Sequence, residues 1–458
     1  MNVFSSLPLS PALMHAVDAL GYTEMTPVQV QGLPHLLAGR DVIVQAPTGS
    51  GKTVAFGLCL LQRLDPTLLR AQALVLCPTR ELADQVAKAI RRLATGIPNI
   101  KVLTLTGGVA IGPQLASLRK DPHIVVGTPG RIQELLRKHV LTLAKLRTLV
   151  LDEADRMLDM GFEEAIREIV GATPPSRQSL LFSATYPEAI RDIGRSMLRD
   201  PSEITVADEV MQPAIEESFI EVDSVAAKPG VLAALLIEHR PESSVVFCNT
   251  RRDTQTVIEA LAEFGIAAAA LHGDIDQRDR DEVLVQFANR SCRVLVASDV
   301  AARGLDIDDL AAVINYELPP DPDIYLHRIG RTGRAGRSGL ALSLCAPREM
   351  PRALSLEKIQ GNKLRWIKIA PIGKPTPDAL QPAMTTLRID AGRSDKLRPG
   401  DIVGALTGDV GLPADAVGKI DVFATRAYVA VRRQLAEKAL NALRSGKIKG
   451  RKFRVQRI

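Results

Sequence analysis

The stretch Ala46–Thr53, A-P-T-G-S-G-K-T, constrains the fold more than any other part of the sequence. It follows the apolar run Val42–Val44 and precedes an apolar helical stretch, Val54–Leu64. A strand, a glycine-rich turn and a helix in this order are typical of a phosphate-binding loop. The usual pattern opens with Gly, so Ala46 makes this loop a variant. The sequence therefore predicts an α/β fold that binds a nucleoside triphosphate, and the alternative is a chance glycine-rich turn.

The side chains of this loop have separate expected tasks. Gly49 and Gly51 allow the backbone to curl, so that its N–H groups point at one place. Lys52 is expected to reach the outer phosphates, and the Thr53 hydroxyl to hold Mg²⁺. The helix that begins near Lys52 adds the positive end of its dipole.

An upstream segment, Gly21–Gln29, adds a candidate base-recognition pair. The Gln29 amide can both donate and accept hydrogen bonds, which suits the edge of adenine. Tyr22 offers a ring that could stack on a base. Alone, this signal also fits an exposed glutamine on a helix.

Short apolar runs alternate with helical patterns in two successive halves of the chain. The strand candidates are Ala73–Cys77, Lys101–Thr104, Ile124–Val126, Thr148–Leu151 and Leu180–Phe182, then Val245–Cys248, Ala268–Leu271, Arg293–Ala297, Ala312–Asn315 and Ala341–Leu344. Nearly continuous apolar strands indicate parallel sheets covered by helices on both faces. Ligands of such sheets collect at the carboxyl ends of the strands, and the polar motifs of this chain follow the strands there.

A pair of carboxylates follows the strand candidate Thr148–Leu151. Asp152 can hold Mg²⁺ through water, facing Thr53, and Glu153 is placed to orient or deprotonate an attacking water. The alternative is an exposed acidic turn.

The arginines of His327–Arg337 supply the positive charge that phosphoryl transfer requires. An arginine finger contributes roughly 10³–10⁵ in rate, and Arg331 and Arg334 are the candidates. Arg328 and Arg337 serve the scaffold or the substrate. Because four arginines this close repel one another, a plain solvated face is disfavoured. Since only the first half has a phosphate loop, we expect a site formed between the halves.

Length and composition set the broad class. A chain of 458 residues is expected to form two or three domains. With 46% hydrophobic and 24% charged residues, and without an apolar run of 18, it is typical of a soluble protein. Residues 1–8 show no secretory pattern. Five scattered cysteines lack metal-ligand spacing and favour buried free thiols in a reducing cytoplasm.

The last 73 residues are basic. Residues 386–458 hold 16 Lys and Arg against 7 Asp and Glu, after a proline-rich linker. Their pattern predicts the order β-α-β-β-α-β, with strands at Thr386–Asp390, Lys419–Phe423, Arg426–Val431 and Lys452–Val455 and helices near Asp401–Leu406 and at Arg433–Leu443. That order is the layout of the RNA-recognition-motif fold. The sequence therefore predicts a nucleic-acid-binding module, and the alternative is a solvated basic surface.

These motifs together resemble the DEAD-box RNA helicases of superfamily 2. The resemblance covers Phe4–Pro347 and rests on the Gly21–Gln29 motif and on A-P-T-G-S-G-K-T, P-T-R-E-L, T-P-G-R, D-E-A-D, S-A-T, R-G-L-D and H-R-I-G-R-T-G-R. It implies an RNA-stimulated ATPase with two tandem RecA-like parallel-sheet domains and the small α+β module after them. The expected boundaries are 1–206, a linker at 207–216, 217–370, a linker at 371–385, and 386–458.

The resemblance also implies residue roles. The implied ATP-binding residues are Tyr22, Gln29, Ala46, Thr48, Gly49, Ser50, Gly51, Lys52, Thr53 and Asp306, with Thr53 and Asp152 on Mg²⁺. The implied catalytic residues are Lys52, Asp152, Glu153, Arg331 and Arg334, and the implied coupling residues are Asp155, Ser183, Thr185 and His327. The implied RNA contacts of the two domains are Pro78, Arg80, Gly108, Thr128, Arg131, Thr250, Gly273 and Ser298. The family usually has Thr where this chain has Ser298, which keeps the hydroxyl.

The tail resembles the C-terminal domain of the DbpA subgroup. This implies binding of a 23S ribosomal RNA hairpin in particles that precede the 50S subunit. The strand Arg426–Val431 carries one aromatic residue where the usual motif has several, so basic residues must carry more of the recognition. The candidate contacts are Lys419, Arg426, Tyr428, Lys447, Lys449, Arg451 and Lys452. The alternative is a basic domain that binds any RNA.

The sequence thus favours a cytoplasmic, ATP-dependent and non-processive RNA helicase that acts in large-subunit assembly. Two alternatives remain open. One is a general RNA-remodelling helicase, in mRNA decay or cold adaptation. The other is a nucleotide-dependent RNA clamp, which could tolerate the loss of Glu153 or of the arginine fingers.

Overall fold

The computed structural model describes residues 2–47, 49–186, 188–206, 215–299, 310–333, 338–369 and 380–458. These residues fall into two compact units. The first covers residues 2–206. The second begins at residue 215 and contains both the second α/β half and the basic tail.

A sheet of seven described strands, all parallel, forms the centre of the first unit in the order β3-β4-β2-β5-β6-β1-β7. Its strands are β1 Val42–Gln45, β2 Ala73–Leu76, β3 Val102–Leu105, β4 Ile124–Gly127, β5 Thr148–Leu151, β6 Gln178–Ser183 and β7 Ser202–Thr205. Its helices are α1 Pro11–Ala19, α2 Pro27–Leu37, α3 Lys52–Gln62, α4 Arg80–Leu93, α5 Ile111–Leu118, α6 Pro129–Arg137, α7 Ala154–Asp159, α8 Glu163–Gly171 and α9 Glu188–Met197. Strands β2, β4 and β5 are buried along their whole length, because apolar clusters cover both faces of the sheet.

The second α/β half repeats this architecture. Its seven described strands are also all parallel, in the order β10-β11-β9-β12-β13-β8-β14. The strands are β8 Ile215–Glu221, β9 Ser244–Cys248, β10 Ala268–Leu271, β11 Val294–Ser298, β12 Ala312–Asn315, β13 Gly339–Cys345 and β14 Trp366–Ile367. The described helices are α10 Lys228–His239, α11 Arg251–Glu263, α12 Gln277–Ala288, α13 Pro322–Ile329 and α14 Met350–Gln360.

The tail forms an antiparallel sheet of four described strands in the order β16-β17-β15-β18. Its elements are β15 Met384–Ile389, α15 Pro399–Gly404, β16 Val417–Val422, β17 Ala427–Arg432, α16 Ala436–Ser445 and β18 Val455–Arg457. The predicted β-α-β-β-α-β order is confirmed. Leu387, Val429 and Val431 point into the apolar core of this domain, which α15 and α16 complete.

Both predicted linkers extend too far toward the C-terminus. Ile215 and Glu216, placed in the first linker, belong to β8, which pairs with β13 and β14. Met384 and Thr385, placed in the second linker, belong to β15. The sequence pattern predicts no strand at β8 and a β15 that begins two residues late, because both stretches mix polar and apolar residues after a proline. Residues 207–214 and 371–379 lie outside the described ranges.

The open face of the tail sheet rests against helix α12 of the second half. One carboxylate oxygen of Glu282 accepts hydrogen bonds from Arg388 Nη1 at 2.8 Å, from Arg426 Nη1 at 2.5 Å and from the Tyr428 hydroxyl at 3.2 Å. All four side chains are largely buried, with Arg388, Arg426 and Glu282 12–15% exposed. Neighbouring β15 and β17 supply these three donors, so one acid contacts the middle of the sheet.

A second polar contact lies beside the first. The Thr386 hydroxyl is 2.8 Å from Asn289 Nδ2 and 2.8 Å from the Ser291 hydroxyl. Thr386 and Asn289 are buried. The tail and the second half are therefore joined by polar groups that satisfy one another.

The five cysteines are free, as predicted. Four are buried, and Cys292 is partly exposed. Within the described ranges, no helix combines the length and apolar character that crossing a membrane requires.

Candidate nucleotide and RNA site

The phosphate loop joins the end of β1 to the start of α3. Gly49 and Gly51 have φ angles of 82° and 95°, a region that favours glycine. The buried Lys52 Nζ donates a hydrogen bond of 2.8 Å to the Ala46 carbonyl, across the mouth of the loop. The loop thus has the predicted curl and an ammonium group in its centre, at the N-terminus of α3.

Gln29 contacts the loop directly. Its Nε2 donates to the Gly51 carbonyl at 3.1 Å, and its Oε1 accepts from the Thr26 N–H at 2.9 Å. A side chain at Gly51 would meet Gln29 Nε2 at 2.6 Å, so this contact requires glycine there. Gln29 is buried at the start of α2, which corrects the alternative of an exposed glutamine. Tyr22 is partly exposed and lines a surface cleft of about 300 Å³ with Phe4 and Met14.

The two carboxylates follow β5, on the same edge of the sheet as the loop. Strand β6 lies between β1 and β5, so Ala46 and Asp152 are two strands apart. Asp152 is buried, and burial raises its pKa to about 7, while the Lys52 ammonium opposes that rise. Glu153 has a left-handed φ of 54°, which is uncommon outside glycine and is concentrated at functional sites.

Asp155 connects this acidic turn to the end of β6. Its carboxylate accepts hydrogen bonds of 3.0 Å from both the N–H and the hydroxyl of Thr185. Its own N–H donates to the Ser183 hydroxyl at 3.3 Å. The contacts expected among these three residues are present, and their coupling role stays a prediction.

The implied RNA contacts of the first unit converge on the loop after β3. Arg80 Nη1 reaches the Gly107 carbonyl at 3.4 Å, and Arg131 Nη2 donates to the Val109 carbonyl at 3.0 Å. The Thr128 hydroxyl accepts from the Gly107 N–H at 3.2 Å. At Gly108 a side chain would meet the Arg80 guanidinium at 2.8 Å. Pro78, next to the N-cap of α4, belongs to the same edge of the sheet.

The implied RNA contacts of the second half also follow neighbouring strands. Thr250 caps α11 by accepting from the Asp253 N–H. Ser298 ends β11, which lies between β9 and β10, and Gly273 comes shortly after β10. The ends of three adjacent parallel strands therefore carry these positions.

The implied tail contacts divide into two groups. Lys447, Lys449, Arg451 and Lys452 are exposed in the turn before β18, and Lys419 is exposed on β16. Arg426 and Tyr428 face Glu282 of α12 instead of solvent. No local pattern in the sequence indicates this contact.

Thr48, Asp306 and Arg334 lie outside the described ranges. Arg331 and His327 are described and lie just after and within α13. Sequence reasoning missed Asn249 and Asp299, which bind Arg328 and are treated below. Their only signal was position, since each follows a buried strand.

A phosphate loop on a parallel sheet, followed in the same chain by a second parallel-sheet half, is typical of P-loop nucleoside triphosphatases with tandem sheets. Family models match as DEAD/DEAH box helicase over residues 26–193, helicase conserved C-terminal domain over 227–336 and DbpA RNA binding domain over 386–457. The chain belongs to the DEAD-box family of ATP-dependent RNA helicases and is an RNA-stimulated ATPase.

Individual relatives agree with these matches. The chain is 54% identical to the ATP-dependent RNA helicase DbpA of Escherichia coli K12, over 100% of this chain and 99% of that protein. It is 44% identical to the helicase CshA of Bacillus cereus, over 80% of this chain and 69% of that one. A structure of Saccharomyces cerevisiae Dbp5 bound to RNA and ADP BeF3 matches with a TM-score of 0.74 at 31% identity, over 80% of this chain and 96% of that one.

Proposed function

We propose that this helicase unwinds short RNA duplexes non-processively during assembly of the large ribosomal subunit. In this proposal the tail binds a hairpin of 23S ribosomal RNA in pre-50S particles, and the protein acts in the cytoplasm. The observation that carries the proposal is the tail itself. It matches the DbpA RNA binding domain and exposes four basic residues in one turn, Lys447–Lys452. Arg426 and Tyr428 would contact RNA only if the tail left Glu282.

In ATP turnover, different residues bind the base, the phosphates and the metal ion. Tyr22 and Gln29 recognise adenine, and Lys52 holds the outer phosphates. Thr53 and Asp152 offer a hydroxyl and a carboxylate, hard oxygen donors that fit Mg²⁺. Among the described residues no cluster of three or more His, Cys, Asp or Glu forms a metal site, which agrees with an ion that keeps phosphate and water ligands.

The remaining steps belong to the groups around the γ-phosphate. Bound Mg²⁺ neutralises phosphate charge. Glu153 orients and deprotonates the attacking water, and Arg331 and Arg334 stabilise the charge of the transition state. Asp306 contacts the ribose.

Unwinding follows from joint binding of ATP and RNA. Both ligands favour the same closed state, in which one bent RNA strand fits and a regular duplex does not. At about 1.4 kcal/mol per stacking step for DNA, opening several steps costs on the order of 10 kcal/mol, which closing and fraying together can supply. By reciprocity, RNA tightens ATP binding as much as ATP tightens RNA binding.

The test is ATPase stimulation by a panel of RNAs at one stated salt concentration. The panel includes 23S fragments with and without hairpins and an unrelated duplex, tested on the full chain and on a chain lacking residues 386–458. We expect a hairpin fragment to stimulate the full chain best and the preference to disappear with the tail. Changing Lys447, Lys449 and Lys452 to Ala should reproduce the loss, whereas Lys438→Ala, an exposed control on α16, should not. An unchanged preference without the tail would favour a general RNA-remodelling helicase.

The variant Glu153→Gln tests the helicase proposal against the alternative of a nucleotide-dependent RNA clamp. If Glu153 activates water, this variant binds ATP and RNA, but it does not hydrolyse the ATP and therefore does not release the RNA. Unchanged hydrolysis would remove Glu153 from the mechanism. A parent chain that binds RNA with ATP but never separates a short duplex would support the clamp.

A further inference from the structure

Arg328 lies in the second helicase half, and its guanidinium is fully hydrogen-bonded. Its Nε and Nη2 each donate to one oxygen of Asp299 at 2.7 Å, forming a bidentate pair. Nη2 also donates to Asn249 Oδ1 at 2.9 Å. Nη1 donates to Asn315 Oδ1 at 3.1 Å and to the Glu317 carbonyl at 2.7 Å. A guanidinium has five N–H donors, and here every one has an acceptor.

The acceptors lie at the ends of three neighbouring strands. Asn249 follows β9, Asp299 follows β11, and Asn315 ends β12. The guanidinium is 2% exposed and lies 5.1 Å from the centroid of the Phe247 ring. The two residues next to Asn249 and Asp299 in the chain, Thr250 and Ser298, are implied RNA contacts.

The other end of Arg328 leads to the proposed arginine finger. Arg328 lies in the last turn of α13, and its carbonyl accepts a hydrogen bond of 3.2 Å from the Arg331 N–H. The Arg331 carbonyl in turn accepts from Leu310 N–H at 3.1 Å. A buried, fully bonded group thus joins the RNA-side strand ends to the chain segment of Arg331.

We propose that Arg328 is a positioning residue that couples RNA contact at Thr250 and Ser298 to the placement of Arg331 for ATP hydrolysis. This rests on the proposed function, in which those residues touch RNA and Arg331 touches ATP. A lysine keeps the charge but offers one nitrogen, which cannot reach Asp299, Asn249 and Asn315 together. The coupling should therefore depend on the guanidinium and not on the charge.

The experiment compares the full chain with Arg328→Lys, Asp299→Asn and the control Arg352→Lys. Arg352 lies on α14, is exposed, and donates to the Leu318 carbonyl. Three quantities are measured: nucleotide affinity with and without saturating single-stranded RNA, kcat and KM for RNA in ATP hydrolysis, and the melting temperature. The coupling factor is the ratio of the two nucleotide affinities.

We expect Arg328→Lys and Asp299→Asn each to lower the coupling factor and kcat to about one tenth, while the affinity for RNA without nucleotide changes less than threefold. The double variant should be no worse than either single one, because the pair acts as a unit. Arg352→Lys should match the parent. A purely structural group would instead lower the melting temperature and RNA affinity together, which would overturn the proposal.

Coupling and kcat within twofold of the parent in both variants would also overturn it. If Arg328→Lys does not fold, Asp299→Asn decides alone. A parent chain without coupling would instead refute the proposed function, so the two failures are distinguishable.

Discussion

The contact between Glu282 and the tail gives a prediction whose size follows from the structure. Glu282 on α12 is the shared acceptor of Arg388, Arg426 and Tyr428 on the tail sheet. Replacing it with Ala leaves two largely buried guanidinium groups without this carboxylate. Asp390 remains as a partial substitute, 3.2 Å from Arg388 Nε and 4.0 Å from Arg426 Nε.

Removing one partner of a buried ion pair costs about 3–5 kcal/mol. Because these groups are 12–15% exposed and Asp390 remains, we expect a smaller loss of docking free energy, about 2–3 kcal/mol. At 1.4 kcal/mol per factor of ten, the ratio of undocked to docked tail rises about 30- to 140-fold. Glu282→Gln keeps an acceptor without its charge and should give an intermediate shift.

Single-molecule energy transfer measures this ratio. Dyes are attached to Glu263→Cys on α11 and Lys438→Cys on α16, both exposed, in a Cys292→Ser background. Glu259→Ala on α11 is the control, since its exposed carboxylate bonds only to Gln255 among the contacts described. A change below threefold for Glu282→Ala, or an equal change for the control, would refute the reasoning.

Three further perturbations test the interior. Burial raises the pKa of all five cysteine thiols, and it raises that of Cys345 to about 11. Because the thiolate is the reactive form, labelling by a thiol reagent at pH 8 should be slow in the native chain and fast after denaturation. Rapid labelling of any thiol in the native chain would contradict this. Gly127→Ala places a Cβ 2.4 Å from the Leu105 carbonyl oxygen and should lower the free energy of unfolding, measured in urea, by about 3 kcal/mol. The control Gly112→Ala meets open space and should lower it by less than about 1 kcal/mol. Equal losses of unfolding free energy in the two variants would refute the clash at Gly127. Glu349→Gln leaves the fully buried Lys228, 2.5 Å away, without its charge partner and should lower the free energy of unfolding in urea by about 3 kcal/mol. An unchanged urea midpoint of unfolding would contradict a stabilising role of this ion pair.

The sheets and the nucleotide loop could be predicted because their signals are local. Buried parallel strands such as β2 and β5 are continuous apolar runs, and the loop is fixed by its glycines and Lys52. Strands β7, β8 and β14 were missed, since S-E-I-T, I-E-E-S-F-I-E and a two-residue strand show neither an apolar run nor regular alternation.

The rest of the site depends on contacts between distant residues. Glu282 lies in the polar helix Q-R-D-R-D-E-V, where any acid looks solvated, and its partners are more than 100 residues away. The five acceptors of Arg328 are likewise assembled by the strand order β11-β9-β12, which the sequence does not state. Positive φ at Glu153 has no signal either, because it arises from the turn between β5 and α7.

The division of labour between helicase halves and tail leads to a last prediction. In the proposed function, Arg80 and Arg131, which backbone carbonyls hold in the first unit, contact phosphates without reading sequence. Selection among RNAs would then come from the tail, where Lys447, Lys449, Arg451 and Lys452 offer up to four phosphate contacts. At about 0.7 per contact for single strands, deleting residues 386–458 should reduce the slope of log affinity against log salt by about 3. A change below 1, measured by titrating a hairpin fragment between 50 and 200 mM salt, would mean that the tail's basic turn does not bind the RNA backbone.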